Sequence, residues 1–165
     1  MSKRLNLREF QQNLIDRLQA TDLSGERVST MGVQIAGRNW LVDMVDVGEV
    51  LPLPKLTAVP FTKPWFRGMA NVRGNLYGVV DMAAYGRDGM TPGDDNNRIL
   101  LVAGRHTFNA ALLVDRVLGL RDARDWKQAD GLGGQREYYD ERGMLWRKLD
   151  VPDLLKQAEF LQIGN

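Results

Sequence analysis

The chain repeats itself. Ile35-Ala36-Gly37-Arg38 recurs as Val102-Ala103-Gly104-Arg105 at an offset of 67 residues. At the same offset Val47-Gly48-Glu49-Val50-Leu51 lies over Val114-Asp115-Arg116-Val117-Leu118, with Leu53 over Leu120. At an offset of 69, Arg73-Gly74-Asn75-Leu76-Tyr77 lies over Arg142-Gly143-Met144-Leu145-Trp146, and Val80-Asp81-Met82 over Leu149-Asp150-Val151. Short strand-and-turn matches arise by chance in any β-rich chain. A common order at nearly one offset is what favours duplication. Two similar β units are expected, each too small to enclose a large core alone, packed side by side.

The fullest copy of the repeated hairpin runs from Phe66 to Met82, with Gly74-Asn75 expected as its two-residue turn, because glycine supplies the positive φ a tight hairpin needs. After the turn, Leu76, Gly78, Val80 and Met82 fall on one face, and Tyr77, Val79 and Asp81 on the other. Upstream, Met31, Val33 and Ile35 alternate with polar or small residues as a half-buried strand does, Gly37-Arg38-Asn39 signals a turn, and Trp40 to Val45 supplies a second strand. Pro52, Pro54, Pro60 and Pro64 make residues 52–64 an extended connection or an edge. Residues 86–97 are turn-forming throughout and read as a mobile surface loop. Ile99 to Ala103 is a continuous apolar run, the pattern of a strand buried on both faces, and Phe108 to Val114 follows it. Residues 121–136 are polar and glycine-rich, and Met144 to Leu149 is a last strand.

Helices are expected only at the ends. Leu7, Phe10, Leu14, Ile15 and Leu18 form one apolar stripe over residues 5–20, which either packs on its own domain or docks on a partner. Residues 1–27 are then a helical leader and link, and residues 28–165 the main domain. At the other end Asp150 can cap a helix with Pro152 in its first turn and Leu154, Leu155, Ala158 and Leu161 on one face.

Function classes narrow by exclusion. Twenty-two Lys and Arg balance 21 Asp and Glu, little support for non-specific nucleic-acid binding. With no cysteine there are no disulfides, thiolate zinc sites or cysteine nucleophiles. The basic start leads into an amphipathic segment, not an apolar signal core, and no apolar run is long enough to span a bilayer; a soluble, cytoplasmic protein is expected. His106 is the only histidine, in an expected turn, so no histidine triad or histidine-rich metal site can be assembled and a solvated turn residue is the plain reading. Asp94-Asp95 lacks the spacing of a cation loop, and Gly131-Leu132-Gly133-Gly134 lacks the lysine of a phosphate loop. No catalytic set, metal or cofactor is expected. Two binding classes remain: Lys63, Trp65, Phe66, Arg67 and Arg73 could stack single-stranded nucleic acid, though Trp65 and Phe66 suit core positions better. The other class is a protein–protein adaptor using sheet edges or the groove between β units.

The ordered motifs resemble the CheW-like family. Val47-Gly48-Glu49-Val50-Leu51 is similar to its V-x-E-V segment, Gly68-Met69-Ala70-Asn71-Val72-Arg73-Gly74 to its G-x-x-N-x-R-G hairpin, and Val79-Val80-Asp81-Met82 to its V-x-D-L. Further on, Ala111 to Leu118 is similar to G-L-x-V-D-x-V, and Arg142-Gly143 to Leu155 to the family's closing segment, so the resemblance covers residues 28 to 161. It implies two packed five-stranded SH3-like β-barrels, with an N-terminal and a C-terminal helix. It also implies a non-catalytic adaptor coupling the cytoplasmic tip of a methyl-accepting chemoreceptor to the regulatory domain of a CheA-type histidine kinase. The Val-Gly-Glu-Val-Leu and Ala-Asn-Val-Arg-Gly forms look most like the family member of twitching-motility systems, which implies control of type IV pili. Carried over residue by residue, Glu49 and Arg73 are expected to pair at the receptor-binding groove, with Val45, Val47 and Gly68 lining it. Leu41, Asp43 and Met44 are expected to face the kinase. Gly78 stands where many members have proline, and Phe61 where many have glycine.

Overall fold

The structure, a computed structural model, describes residues 29–131 and 135–164. The expected helix over 5–20 lies outside the described residues. In chain order the elements are β1 (Thr30–Ile35), β2 (Arg38–Asp43), the 3-10 turn η1 (Met44–Asp46), β3 (Val47–Pro52), β4 (Phe66–Val72), β5 (Asn75–Asp81) and α1 (Met82–Tyr85). Then come β6 (Arg98–Val102), η2 (Gly104–His106), β7 (Ala110–Val114), β8 (Arg116–Arg121), β9 (Lys127–Asp130), β10 (Arg136–Tyr139), β11 (Leu145–Leu149), α2 (Val151–Leu154) and α3 (Ala158–Leu161).

The strands form two mixed sheets, one ordered β8-β1-β2-β11-β10-β9 and the other β3-β6-β7-β5-β4. Strip β9 from the first and the two orders superimpose, each with an antiparallel hairpin at its centre and one parallel pair, β2 with β11 and β5 with β7. The two copies are not side by side as consecutive units. The hairpin of each copy sits in the sheet made by the rest of the other, so the halves of the chain are interleaved. Neither sheet closes into the expected barrel by a continuous ladder. In the five-stranded sheet one isolated bridge, Thr57 to Met69, brings the chain beyond β3 back to β4, with Thr57 N donating to Met69 O at 2.9 Å and Met69 N to Thr57 O at 2.8 Å.

The central strands show why the sequence folds this way. On β6 and β7, Leu100, Val102, Ala110, Leu112 and Val114 enter a core shared with Met31, Val33, Ile35 and Val42 of the other sheet. Ile99, Leu101, Ala111 and Leu113 point the opposite way, into a second core closed by Ala70, Val72 and Val79, by Leu51 of β3 and by Leu53 and Leu56 of the chain leaving it. A strand wetted on neither face reads as an unbroken apolar run.

Both tight hairpin turns fall one residue earlier than expected. Register pairs Ile35 with Arg38 and Val72 with Asn75, leaving Ala36-Gly37 and Arg73-Gly74 as the turns. All four residues have positive φ, and Gly74 N donates to Asn71 Oδ1 at 2.9 Å. Glycine occupies the second turn position, and the twist-matched turn carries left-handed backbone at both positions instead of at the first alone.

Residues 86–97 form an exposed surface loop anchored at two buried residues, Thr91 and Asn97. Asp81, fully buried, ends β5 and caps α1, accepting from Ala84 N at 3.2 Å, Thr91 N at 2.9 Å, Thr91 Oγ1 at 2.6 Å and Arg67 Nη1 at 3.0 Å. Asn97, also buried, donates from Nδ2 to Asp115 O at 3.1 Å.

The single C-terminal helix is replaced by two one-turn helices. Asp150 does cap the first, accepting from Asp153 N at 3.0 Å. Extended backbone at Gln157 then resets the helical phase. Leu161 is left half exposed, and Phe160 turns inward between Trp65, Tyr85 and Phe108.

Candidate partner-binding groove

In the five-stranded sheet β3 and β4 are the two edge strands. Glu49 stands on β3, and Arg73 in the turn that follows β4. The Arg73 guanidinium grips the Glu49 carboxylate with two parallel hydrogen bonds, Nη1 to Oε2 at 3.1 Å and Nη2 to Oε1. Those bonds and the carboxylate charge hold Arg73 even more firmly protonated than an ordinary arginine. The Arg73 side chain is 67 % exposed and that of Glu49 36 %, so water screens the pair and it adds little to stability. What it supplies is a fixed, planar, charged rim with unused donors and lone pairs facing outward.

The rim borders an open cavity of about 200 Å³ lined by Gly48, Glu49, Arg73, Tyr77, Phe108 and Asn109, among others. Its apolar lining is Leu101, Val102, Phe108 and the Tyr77 ring. The far end of the lining is the η2 turn and Thr107. Asp46, buried at the end of η1, fastens that turn: its Oδ1 accepts from Arg105 Nη2 at 2.7 Å and meets His106 Nε2 at 2.8 Å, and its backbone carbonyl accepts from Ala103 N at 2.9 Å. His106 is therefore not the solvated turn residue expected; its side chain is only 15 % exposed.

The remaining residues assigned by resemblance are dispersed. Val45 and Val47 are half-buried, in η1 and at the start of β3, and Val47 packs on the shared core. Gly68 is buried in a bulge of β4, five residues before Arg73 and so about 17 Å along the strand. Its φ is +129°, and a Cβ there would lie 2.5 Å from the Thr57 carbonyl oxygen, so the glycine serves the close approach of two backbone segments. On β2, Leu41 is 1 % exposed and supports its sheet from within, offering no surface. Asp43 pairs with Lys148 of β11, and Met44 is half-buried against the core.

The stacking surface imagined for nucleic acid is not present. Trp65 and Phe66 are buried, Arg67 is committed to Asp81 and Arg73 to Glu49. Among the described residues no group of carboxylates and histidines could hold a metal ion. Sequence reasoning did not find Phe108, Tyr77, Asp46 or Asp81. Asp81 and Tyr77 carried a signal, as the Asp and the aromatic that recur in both copies of the repeated hairpin.

The described residues form two interleaved mixed sheets with an open groove bordered by a charged pair. The CheW-like domain pattern matches residues 29–159, and the chain belongs to that family. It is 37 % identical over 93 residues to protein PilI of Pseudomonas aeruginosa, a stretch covering 56 % of this chain and 52 % of that protein. It is 30 % identical over 93 residues to the probable chemotaxis protein CheW of Rhizobium etli, covering 56 % of this chain and 59 % of that one. The matched stretch thus spans little more than half of either relative. The scaffolding protein TtCheW of Thermoanaerobacter tengcongensis has the same fold, with a TM-score of 0.66 and 19 % identity over 79 % of this chain and 94 % of that structure.

Proposed function

We propose that this chain is a non-catalytic, cytoplasmic adaptor that couples a methyl-accepting receptor to a CheA-type histidine kinase in a chemotaxis-like pathway controlling twitching by type IV pili. Residues 28–165 act as the adaptor domain, built on the SH3-like barrel plan even though its sheets stay open. The observation that carries the reading is the Glu49–Arg73 fork, an exposed ion pair beside an open concavity of mixed polar and apolar lining. It is the geometry of a surface that positions a partner; Val45 and Val47, on η1 and β3, and Gly68, farther along β4, are assigned to the same receptor-binding face by family likeness. The kinase face is the end of β2 and the start of η1, where Asp43 and Met44 are partly exposed and Leu41 is buried in the strand before them. The PilI likeness supports the pilus pathway, and the family membership supports the adaptor role. Among the described residues no helix is long and apolar enough to cross a membrane.

Calorimetric titration of the chain into the kinase regulatory domain should give saturable one-to-one binding, weakened by Met44→Ala. A soluble receptor-tip fragment should bind separately and lose affinity with Arg73→Ala. Folded, active components that do not associate would overturn the reading.

A further inference from the structure

We propose that residues 5–20 dock in cis on the face of the six-stranded sheet turned away from the shared core, across an aromatic and acidic cavity at the β8–β9 connection. The cavity is built from the sheet upward. Gly32 of β1 leaves room for Trp146 of β11, whose ring reaches across β2 to within 2.9 Å of where a Gly32 Cβ would stand. The Arg121 guanidinium lies 5.6 Å from the centre of the Trp146 ring, and Trp126 packs on the same indole at 5.3 Å between ring centres. Trp146 is buried, whereas Trp126 stays half-buried and opens into a cavity of about 690 Å³. Tyr139, 40 % exposed, lines it with Asp122, Asp125, Asp140 and Glu141, against one lysine, Lys127. Asp122 holds Arg124 and Asp140 holds the Trp146 indole, while Asp125 and Glu141 lie open to solvent. No residue of this lining belongs to the Glu49–Arg73 groove, so the inference stands apart from the adaptor reading.

Two observations name the occupant. The first is where the chain enters the sheet. The Ser29 carbonyl accepts from Met44 N at 3.0 Å, and Thr30 pairs with Arg121, whose next residue, Asp122, already lines the cavity. Residues 21–28 span at most about 27 Å when fully extended. Residues 5–20 are therefore tethered beside this face, at an effective concentration on the order of mM, so that a weak contact is enough to hold them. The second observation is complementarity. Residues 1–20 carry Lys3, Arg4, Arg8 and Arg17 against Glu9 and Asp16, while the cavity carries four carboxylates against one lysine. The stripe of Leu7, Phe10, Leu14, Ile15 and Leu18 leaves water by packing on Trp126 and Tyr139. Arginines beside that stripe match both the faces of those rings and the carboxylates around them.

The chain has no cysteine, so Gln12→Cys in the full chain takes a single nitroxide label at a position off the apolar stripe. In dilute protein the amide signals of Trp126 and Tyr139 should lose most of their intensity to the label and regain it when the nitroxide is reduced. Phe10→Asp with Leu14→Asp, which changes none of the described residues, should abolish that loss. Asp125→Lys with Glu141→Lys, two exposed positions, should restore most of the intensity by reversing the charge of the cavity. Trp126 and Tyr139 signals untouched by the label would leave the segment to another surface or a partner and overturn the proposal. A loss that persists after the charge reversal would overturn it as well. A loss that arises only between labelled chains and separate, isotope-enriched unlabelled ones would assign the segment to a second copy and overturn docking in cis.

Discussion

Arg73 reaches from the turn after β4 to Glu49 on β3, joining by side chains the two edge strands of a sheet that its backbone ladder leaves open. Both partners remain accessible. Arg73→Ala is expected to leave the melting temperature within about 2 °C of the native value, as exposed substitutions do. Receptor-fragment affinity should fall about tenfold, and raising salt should erase much of that difference. A large drop in melting temperature with normal binding by the folded fraction would make the pair structural.

Asp81 is the opposite case. Its carboxylate is fully buried and bonded to four donors from β4, α1 and the loop at Thr91. Asp81→Ala strands the Arg67 guanidinium and the Thr91 hydroxyl and amide together. The expected cost is about 3–5 kcal/mol in urea unfolding. Residues 86–97 should become the first site of proteolytic cleavage, and a variant cut no faster than the native chain would refute the pinning role.

The alternation in β1 and the apolar runs in β6 and β7 make those strands legible from sequence, because side-chain burial repeats with the pleat. The exchange of hairpins between the two copies is not legible. Local pattern reports which residues are buried, whereas the choice between pairing β2 with β3 or with β11 depends on surfaces more than a hundred residues apart. The same limit hides the groove: Glu49 and Arg73 are readable by family likeness, but Phe108 and Asp46 reach the site only through the η1–η2 contact. Phe160 was hidden by a break in helical phase at Gln157 that no proline or glycine announces.

Gly68 and Gly143 separate close packing from simple turn geometry. Both have positive φ, at +129° and +78°, yet only Gly68 has a backbone oxygen within 2.5 Å of where a Cβ would stand. Gly143→Ala is expected to cost about 1–2 kcal/mol, the price of left-handed backbone alone. Gly68→Ala should cost clearly more, about 3 kcal/mol or above, since the β4 bulge must also move off Thr57. Equal losses in chemical denaturation would show that the Thr57 contact yields freely.

Asp140 provides a pH test of the second hairpin. Its carboxylate accepts from Trp146 Nε1 at 3.0 Å and from the Arg142 and Met144 amides, both at 2.9 Å. The Trp146 bond is the chief cause holding its pKa below the ordinary 3.8, with the two amide bonds adding to it. The unfolded chain thus binds this proton more readily than the folded one does. The stabilisation is present above the unfolded value and is lost as pH falls through the lower folded value. Asp140→Asn should therefore be less stable than the native protein at neutral pH, with the gap narrowing as pH falls below about 4. Urea unfolding across that range is the measurement, and a gap that stays constant with pH would mean that the carboxylate charge plays no part in closing the turn.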